Sequence, residues 1–343
     1  MNDLCMFLPR VIAYAYDKIS DDRSKKSFYF ILKGQRSLQV LQDAQWFELE
    51  QFYATLPTLA YETYKKAYYE SKQIKIMADV FHKEWFYTHL KNAETLQSAS
   101  VFIAHVQLLV QVLSHWKANH KSYMPMIRSE KIQKFVKQIL HKERNHCAML
   151  CIHLYQEIYD LCMQMPENCC EIFMGRQMGF GYNARTFEQL SVHLKLDIYE
   201  VQMTWCALIQ YMYLTVKKNP EKYSTLFRCI PIDEASRIFN RSVHQTKMLL
   251  KAGKTLEEIC QIKKVKRTTV ESHIVEIALQ DMSFSLQPFI SEEKLHMILQ
   301  CAKQTRSYRL RTIKTYLGDS VSYFEIRLAL TRRERGGNFE FKR

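Results

Sequence analysis

Apolar residues recur along this chain at the three- and four-residue spacing of helices, not in the alternation of half-buried strands. Val101, His105, Leu108, Val112 and Trp116 run along one helical face, and Pro125 ends that stretch. Ile132, Phe135 and Ile139 open a second pattern that continues to Ile158 and closes at Pro166. Earlier, Leu38, Leu41, Phe47, Leu49 and Phe52 fit helices around a turn. Leu56-Pro57 then breaks the chain before an aromatic-rich helix through Tyr61, Tyr64 and Tyr68. Only 8 Gly and 7 Pro occur in 343 residues, sparse punctuation for a fold of hairpins. Long helices joined by short loops are expected, giving an all-α fold.

The breaks suggest five stretches. An N-terminal helical region covers 1–98 and a helical bundle region 99–170. A unit at 171–220 begins in the loop-like Gly175, Gly179, Gly181 segment, and a domain at 231–335 follows Asn219-Pro220 and Pro231. Residues 336–343, from Gly336-Gly337, form a tail expected to fray.

Within this pattern lies a gap-free internal repeat at an offset of 69 residues. Thr186-Phe187-Glu188-Gln189-Leu190 falls on Thr255-Leu256-Glu257-Glu258-Ile259, Leu196 on Val265, Val201 on Val270 and Leu208 on Ile277. Each first helix opens with a capping box, Thr186 with Gln189 and Thr255 with Glu258, in which Thr oxygen and longer side chain satisfy each other's backbone N–H. A second box is expected after each, Asp197 with Glu200 and Thr268 with Glu271. Two short helices, a tight connection and a shared core define a helix-turn-helix unit, so tandem units are expected in the C-terminal half. Plain αα-hairpins of a bundle would leave the same apolar pattern.

Charge separates the two copies. The chain holds 49 Lys and Arg against 35 Asp and Glu, a net +14 that suits polyanions, nucleic acid before anionic membrane. Around the second copy lie Lys251, Lys254, Lys263, Lys264, Lys266 and Arg267, just ahead of the helix that would enter a DNA groove. Cations there displace counterions from phosphates, and the helix N-terminus adds N–H donors. The candidate DNA-binding set is therefore Lys254, Lys263, Lys264, Lys266 and Arg267, with Thr268, Thr269, Ser272 and His273 facing the groove. Glu271 has a use as the return cap, whereas Glu276 has none visible in the sequence. The first copy presents Asp197, Tyr199, Glu200, Gln202 and Thr204 instead, and reads as a structural or protein-contact module.

At these residues the chain resembles a known domain. Lys251 to Ile259, continuing through Arg267-Thr268-Thr269-Val270-Glu271-Ser272-His273-Ile274, is similar to the helicase helix-turn-helix domain at the C-terminus of some RecQ-type helicases. Ser322 to Leu330 resembles its closing helix. Leu32-Lys33-Gly34-Gln35-Arg36-Ser37-Leu38 resembles the start of the YpbB-like family of Firmicutes, which carries such a domain without a helicase engine. Its gene lies beside that of a short RecQ-like helicase. The resemblance implies a DNA-binding accessory protein, not an enzyme, acting with a RecQ-like helicase in replication or repair. The docking surface for such a partner is then expected away from the basic run, on the first copy, with Asp197, Tyr199 and Glu200 exposed. A transcription regulator reading palindromic half-sites and a protein-binding adaptor are the alternatives.

Other motifs lead nowhere. Gly253-Lys254-Thr255 ends like a phosphate loop, but the residue five before Gly253 is Met248, in a helical pattern. Gly179-Phe180-Gly181 lacks the βαβ surroundings of a dinucleotide turn. Cys147 and Cys151, near His146 and Cys169-Cys170, lack the hairpin spacing of structural zinc. No metal, cofactor or small-molecule substrate is expected. The 10 Cys sit mostly in apolar helical patterns, and Met1–Ser20 lacks a basic leader with an apolar run. Reduced core thiols in a cytoplasmic protein are expected. Val101–Leu113 is short for a bilayer and is interrupted by His105, Gln107 and Gln111, so no membrane association is expected. Tyr61, Tyr64, Tyr68 and Tyr69 among lysines could stack bases or simply be half-buried.

Overall fold

The structure, a computed structural model, describes residues 7–19, 23–74, 84–143, 145–231, 241–305 and 307–332. The tail at 336–343 lies outside them. The described residues form α-helices, short 3-10 turns and loops. One isolated bridge pairs Gly179 with Tyr182, and no strand occurs among the described residues. The all-α expectation therefore holds.

In chain order the helices are α1 (Phe7–Lys18), α2 (Ser27–Lys33), α3 (Leu38–Trp46), α4 (Tyr61–Ser71), α5 (Trp85–His89) and α6 (Ala93–Lys117). Next come α7 (Glu130–Lys142), α8 (Cys147–Met163), α9 (Glu167–Gly175), α10 (Phe187–Leu194), α11 (Ile198–Lys218) and α12 (Ser224–Phe227). The last six are α13 (Arg241–Lys251), α14 (Leu256–Lys263), α15 (Arg267–Gln280), α16 (Glu292–Thr305), α17 (Leu310–Leu317) and α18 (Tyr323–Ala329).

The chain packs as two compact units. The first comprises Met1–Tyr14, Leu32–Gly34 and Gln51–Glu234; the second comprises Ala15–Ile31, Gln35–Glu50 and Ala235–Arg343. The five stretches drawn from the breaks remain a proposal about modules. Packing groups residues 15–31 and 35–50 with the C-terminal segment, which no break in the sequence marks.

The first unit is built on α6 and α11, which lie against each other with Ala99, Phe102, Val106, Ala207, Leu208 and Met212 removed from solvent. At 25 residues α6 is long and apolar enough to cross a membrane by length and composition, but 67% of its apolar window is buried within the protein. Its three polar interruptions each make a specific bond. His105 Nδ1 meets the Cys229 carbonyl at 2.8 Å, and Gln107 Nε2 donates to the Arg176 carbonyl at 2.8 Å. Gln111 donates to the Met124 carbonyl at 3.0 Å and accepts from Met126 N–H at 2.9 Å. These bonds offset desolvation of the amides and fix which neighbours α6 takes. Around the same core, burial pushes the Cys206 and Cys229 thiols up to about 12, so both are protonated packing groups.

The second unit is built around α15. Its Val270, Ile274, Val275, Ile277 and Ala278 are buried, and it packs on α13, α14, α18 and α3. Arg332 clasps its C-terminal end, the guanidinium donating to Ala278 O in the last turn at 2.7 Å and to Phe284 O beyond the helix at 2.6 Å. Asp281, just past the helix, binds Lys247 Nζ at 2.9 Å and the Ser283 hydroxyl. These hydrogen bonds lower its carboxyl to about 2.

Candidate nucleic-acid interface

The two repeats are repeats of structure. Thr186 and Thr255 each close a complete capping box: the Thr oxygen accepts a backbone N–H at 3.2 Å in both, and the Gln189 or Glu258 side chain accepts the Thr N–H at 2.8 Å. Each first helix is 8 residues long and ends at a lysine in the left-handed region, Lys195 at φ 56° and Lys264 at φ 53°. The second helices start at Ile198 and Arg267, again 69 residues apart. Leu190 and Ile259, Val201 and Val270, and Leu208 and Ile277 are all fully buried. Equivalent apolar residues thus hold equivalent corners, which is why the register shows in the sequence.

The second pair of caps differs from expectation. The N-cap of α15 is Lys266, with no side-chain bond, and Thr268 already lies in the first helical turn. The left-handed turn at Lys264 redirects the chain within two residues, so the helix begins before the threonine. Glu271, freed from the return-cap role, pairs with Arg267 Nε at 3.0 Å. In the first copy Asp197 does cap α11, accepting Tyr199 N–H at 2.7 Å.

The nine proposed DNA-facing residues divide into two groups. Lys254, Lys264, Lys266, Arg267, Thr268 and Thr269 are exposed around the turn and the first turn of α15. Lys254 pairs with Glu258 at 3.0 Å, and Arg267 bridges Glu257 at 2.8 Å as well as Glu271, so this surface is cationic but laced with carboxylates. Ser272 is half-buried and donates to the Thr268 carbonyl at 2.8 Å. Lys263 and His273 turn inward. The Lys263 ammonium donates to the Ser242 carbonyl, to the Ser242 hydroxyl at 3.1 Å and to the Thr246 hydroxyl at 2.7 Å. His273 Nδ1 lies 2.9 Å from that Thr246 hydroxyl. Burial, then the nearby Lys263 charge, pushes the His273 imidazole down to about 4, and burial lowers the Lys263 ammonium. This polar knot ties α13, α14 and α15 together, and its lysine has no donor left for a phosphate.

Glu276 also has a structural use. It is half-buried and pairs with Arg36 at 3.3 Å, holding the N-terminal end of α3 beside α15. Beside the cationic turn runs a groove of about 990 Å³, lined by Lys251, Lys254, Arg267, Phe284, Phe289 and Phe324.

The first copy does not present its second helix. In α11, Val201, Met203, Thr204, Cys206, Ala207, Leu208 and Gln210 are buried, and the helix lies against α5, α6, α9 and α10. Asp197, Tyr199 and Glu200, expected to be an exposed docking surface, are each half-buried. Burial raises the Asp197 and Glu200 carboxyls, with Glu84 adding to the effect at Glu200. This copy is a load-carrying part of its unit's core.

The decoy motifs resolve as turns. Gly253 takes φ +75° where the chain leaves α13, and Gly181 takes φ +71° in the turn closed by the Gly179–Tyr182 bridge. Both need a residue without Cβ strain. Among the described residues no group of three or more His, Cys, Asp or Glu could hold a metal ion. Tyr64 is buried, while Tyr69 stays half exposed beneath Lys72.

These features define a helix-turn-helix protein, and residues 242–330 match the family described as a helix-turn-helix domain. Over most of its length the chain is similar to Protein YpbB of Bacillus subtilis (strain 168), at 28% identity over 336 residues, covering 92% of this chain and 94% of that protein. No solved structure matches.

Proposed function

We propose that this chain is a non-catalytic DNA-binding accessory protein of the cytoplasm, gripping DNA through the turn and first helical turn of α15. The supporting observation is the contrast between the copies: only the second leaves the start of its second helix exposed with Lys264, Lys266 and Arg267 around it. Lys254, Lys264, Lys266 and Arg267 contact phosphates, and Thr268 and Thr269 face the groove. Lys263, Ser272 and His273 shape this surface from within. Two carboxylates on Arg267 and few groove-facing donors favour weak, sequence-tolerant binding. The protein acts with a RecQ-like helicase in replication or repair, a reading that rests on the family resemblance. A second weak DNA grip tethered to an engine raises its local concentration on DNA without new contacts to the engine.

The test is binding of the full chain to duplex, single-stranded and forked DNA across a salt series, then co-purification with a RecQ-like helicase. Expected are salt-steep binding to unrelated sequences and recovery of the helicase. Protection of one defined palindrome would replace this reading with a regulator, and absence of DNA binding at low salt would replace it with an adaptor.

A further inference from the structure

Helix α8 has two apolar faces. Leu150, Leu154 and Leu161 are buried in the first unit. On another side of the helix, Met149, Ile152, Tyr155, Tyr159 and Met163 are 49%, 48%, 69%, 55% and 68% exposed. Their spacing places all five within one stripe at the helical period, where a surface helix ordinarily carries charge. Ala148 and Gln156 complete the stripe, and no charged residue lies within it. Asp160 at its edge is already bound by Lys222 at 2.9 Å and by the Tyr223 hydroxyl at 2.6 Å.

We propose that this face is where two copies of the chain meet, α8 against α8, antiparallel about a two-fold axis at Gln156. Three observations select a second copy as occupant. The first is self-complementarity, which a two-fold interface requires. Met149 and Met163 are equally far from Gln156, so methionine meets methionine at both ends, and Ile152 of one copy falls beside Tyr159 of the other. On the axis, Gln156 meets Gln156, and an amide both donates and accepts. The second is charge. A net +14 opposes self-association over most of the surface, while this face has none to repel. The third is size. The stripe is about 21 Å long at 1.5 Å per residue. With roughly 200 Å² available on each tyrosine, the five side chains expose on the order of 550 Å², against about 800 Å² that each partner gives to a standard stable interface. Ala148 and Gln156, exposed within the stripe, add to that area.

The interface is independent of whether α15 binds DNA, and its test needs no DNA. Sedimentation equilibrium of the reduced full chain at micromolar concentration should give the mass of two chains. Tyr155→Glu with Tyr159→Glu should give one chain with unchanged helicity, since both residues are solvent-facing within the chain. Gln156→Cys should form an interchain disulfide on mild oxidation, because the axis brings its two copies together, whereas Glu293→Cys should not exceed the wild-type background. A wild-type chain that sediments as a monomer overturns the proposal, including the case in which the tyrosine pair instead abolishes capture of a helicase. So does a double variant that stays dimeric while Gln156→Cys fails to crosslink.

Discussion

Arg267 is the cation best placed for a phosphate at the start of α15, and it is held by two carboxylates. Glu257 Oε1 lies 2.8 Å from Nη1 and Glu271 Oε1 lies 3.0 Å from Nε. The two pairs use two of the five guanidinium N–H groups, and the carboxylates offset the positive charge that a phosphate would meet there. The arginine and Glu257 side chains are 63% and 65% exposed, so the pair is a surface ion pair of about 0.2–1 kcal/mol. Glu271 is only 20% exposed and stays as a positioning partner. Glu257→Gln should therefore tighten binding to duplex DNA by up to about 5-fold, the equivalent of 1 kcal/mol, and more at low salt where the removed charge also repelled phosphate. Arg267→Ala should weaken binding and flatten the plot of log affinity against log salt by about 0.9, one phosphate contact. Fluorescence anisotropy on a labelled duplex from low to physiological salt reads both. If Glu257→Gln binds no more tightly while Arg267→Ala weakens, the carboxylates do not restrain the arginine. If Arg267→Ala leaves both affinity and slope unchanged, the DNA surface is not at this turn.

Lys263→Met should cost about 1–3 kcal/mol, since it removes the ammonium bonded to half-buried Ser242 and buried Thr246, and should lower the melting temperature. Lys264→Glu should leave the melting temperature in place and weaken DNA binding. His273 has a folded pKa of about 4 against 6.5 free, so the unfolded chain takes up its proton first as pH falls. Its contribution is full above pH 6.5 and is lost between 6.5 and 4; partial exposure limits it to about 1 kcal/mol at pH 5. Melting at pH 7 and 5 should show that loss in the wild type and a smaller one in His273→Asn. Lys195→Gly relieves a left-handed lysine at the end of α10, and thermal melting should register about 0.5–1 kcal/mol of added stability with DNA binding unchanged.

What the sequence revealed and what it hid follow from how far each interaction reaches. The capping boxes at Thr186 and Thr255 span three residues, and the buried pairs Val201/Val270 and Leu208/Ile277 obey one helical period. Both are local, so both are legible. The lysine run Lys263-Lys264-Val265-Lys266 looks uniform as text, yet a left-handed turn at Lys264 sends its first member into the protein and its last into solvent. Thr268 satisfies the spacing of a capping box, but the same turn starts the helix two residues earlier than that box requires. Glu276 looked idle because its partner, Arg36, is 240 residues away. Asp197, Tyr199 and Glu200 looked exposed because nothing in their own segment announces that α11 is covered by α5, α6 and α9.

The clasp at the far end of α15 bears on how the protein is made. Ala278 and its neighbours receive hydrogen bonds from Arg332, which is synthesised 54 residues later. While a ribosome is translating the segment between them, the second helix of the helix-turn-helix has its core residues but not the guanidinium that closes its carbonyl end. A nascent chain should therefore complete the C-terminal end of this helix only after α16, α17 and α18 have been made. The cap on the second helix of the helix-turn-helix is thus supplied by residues made well after the helix itself.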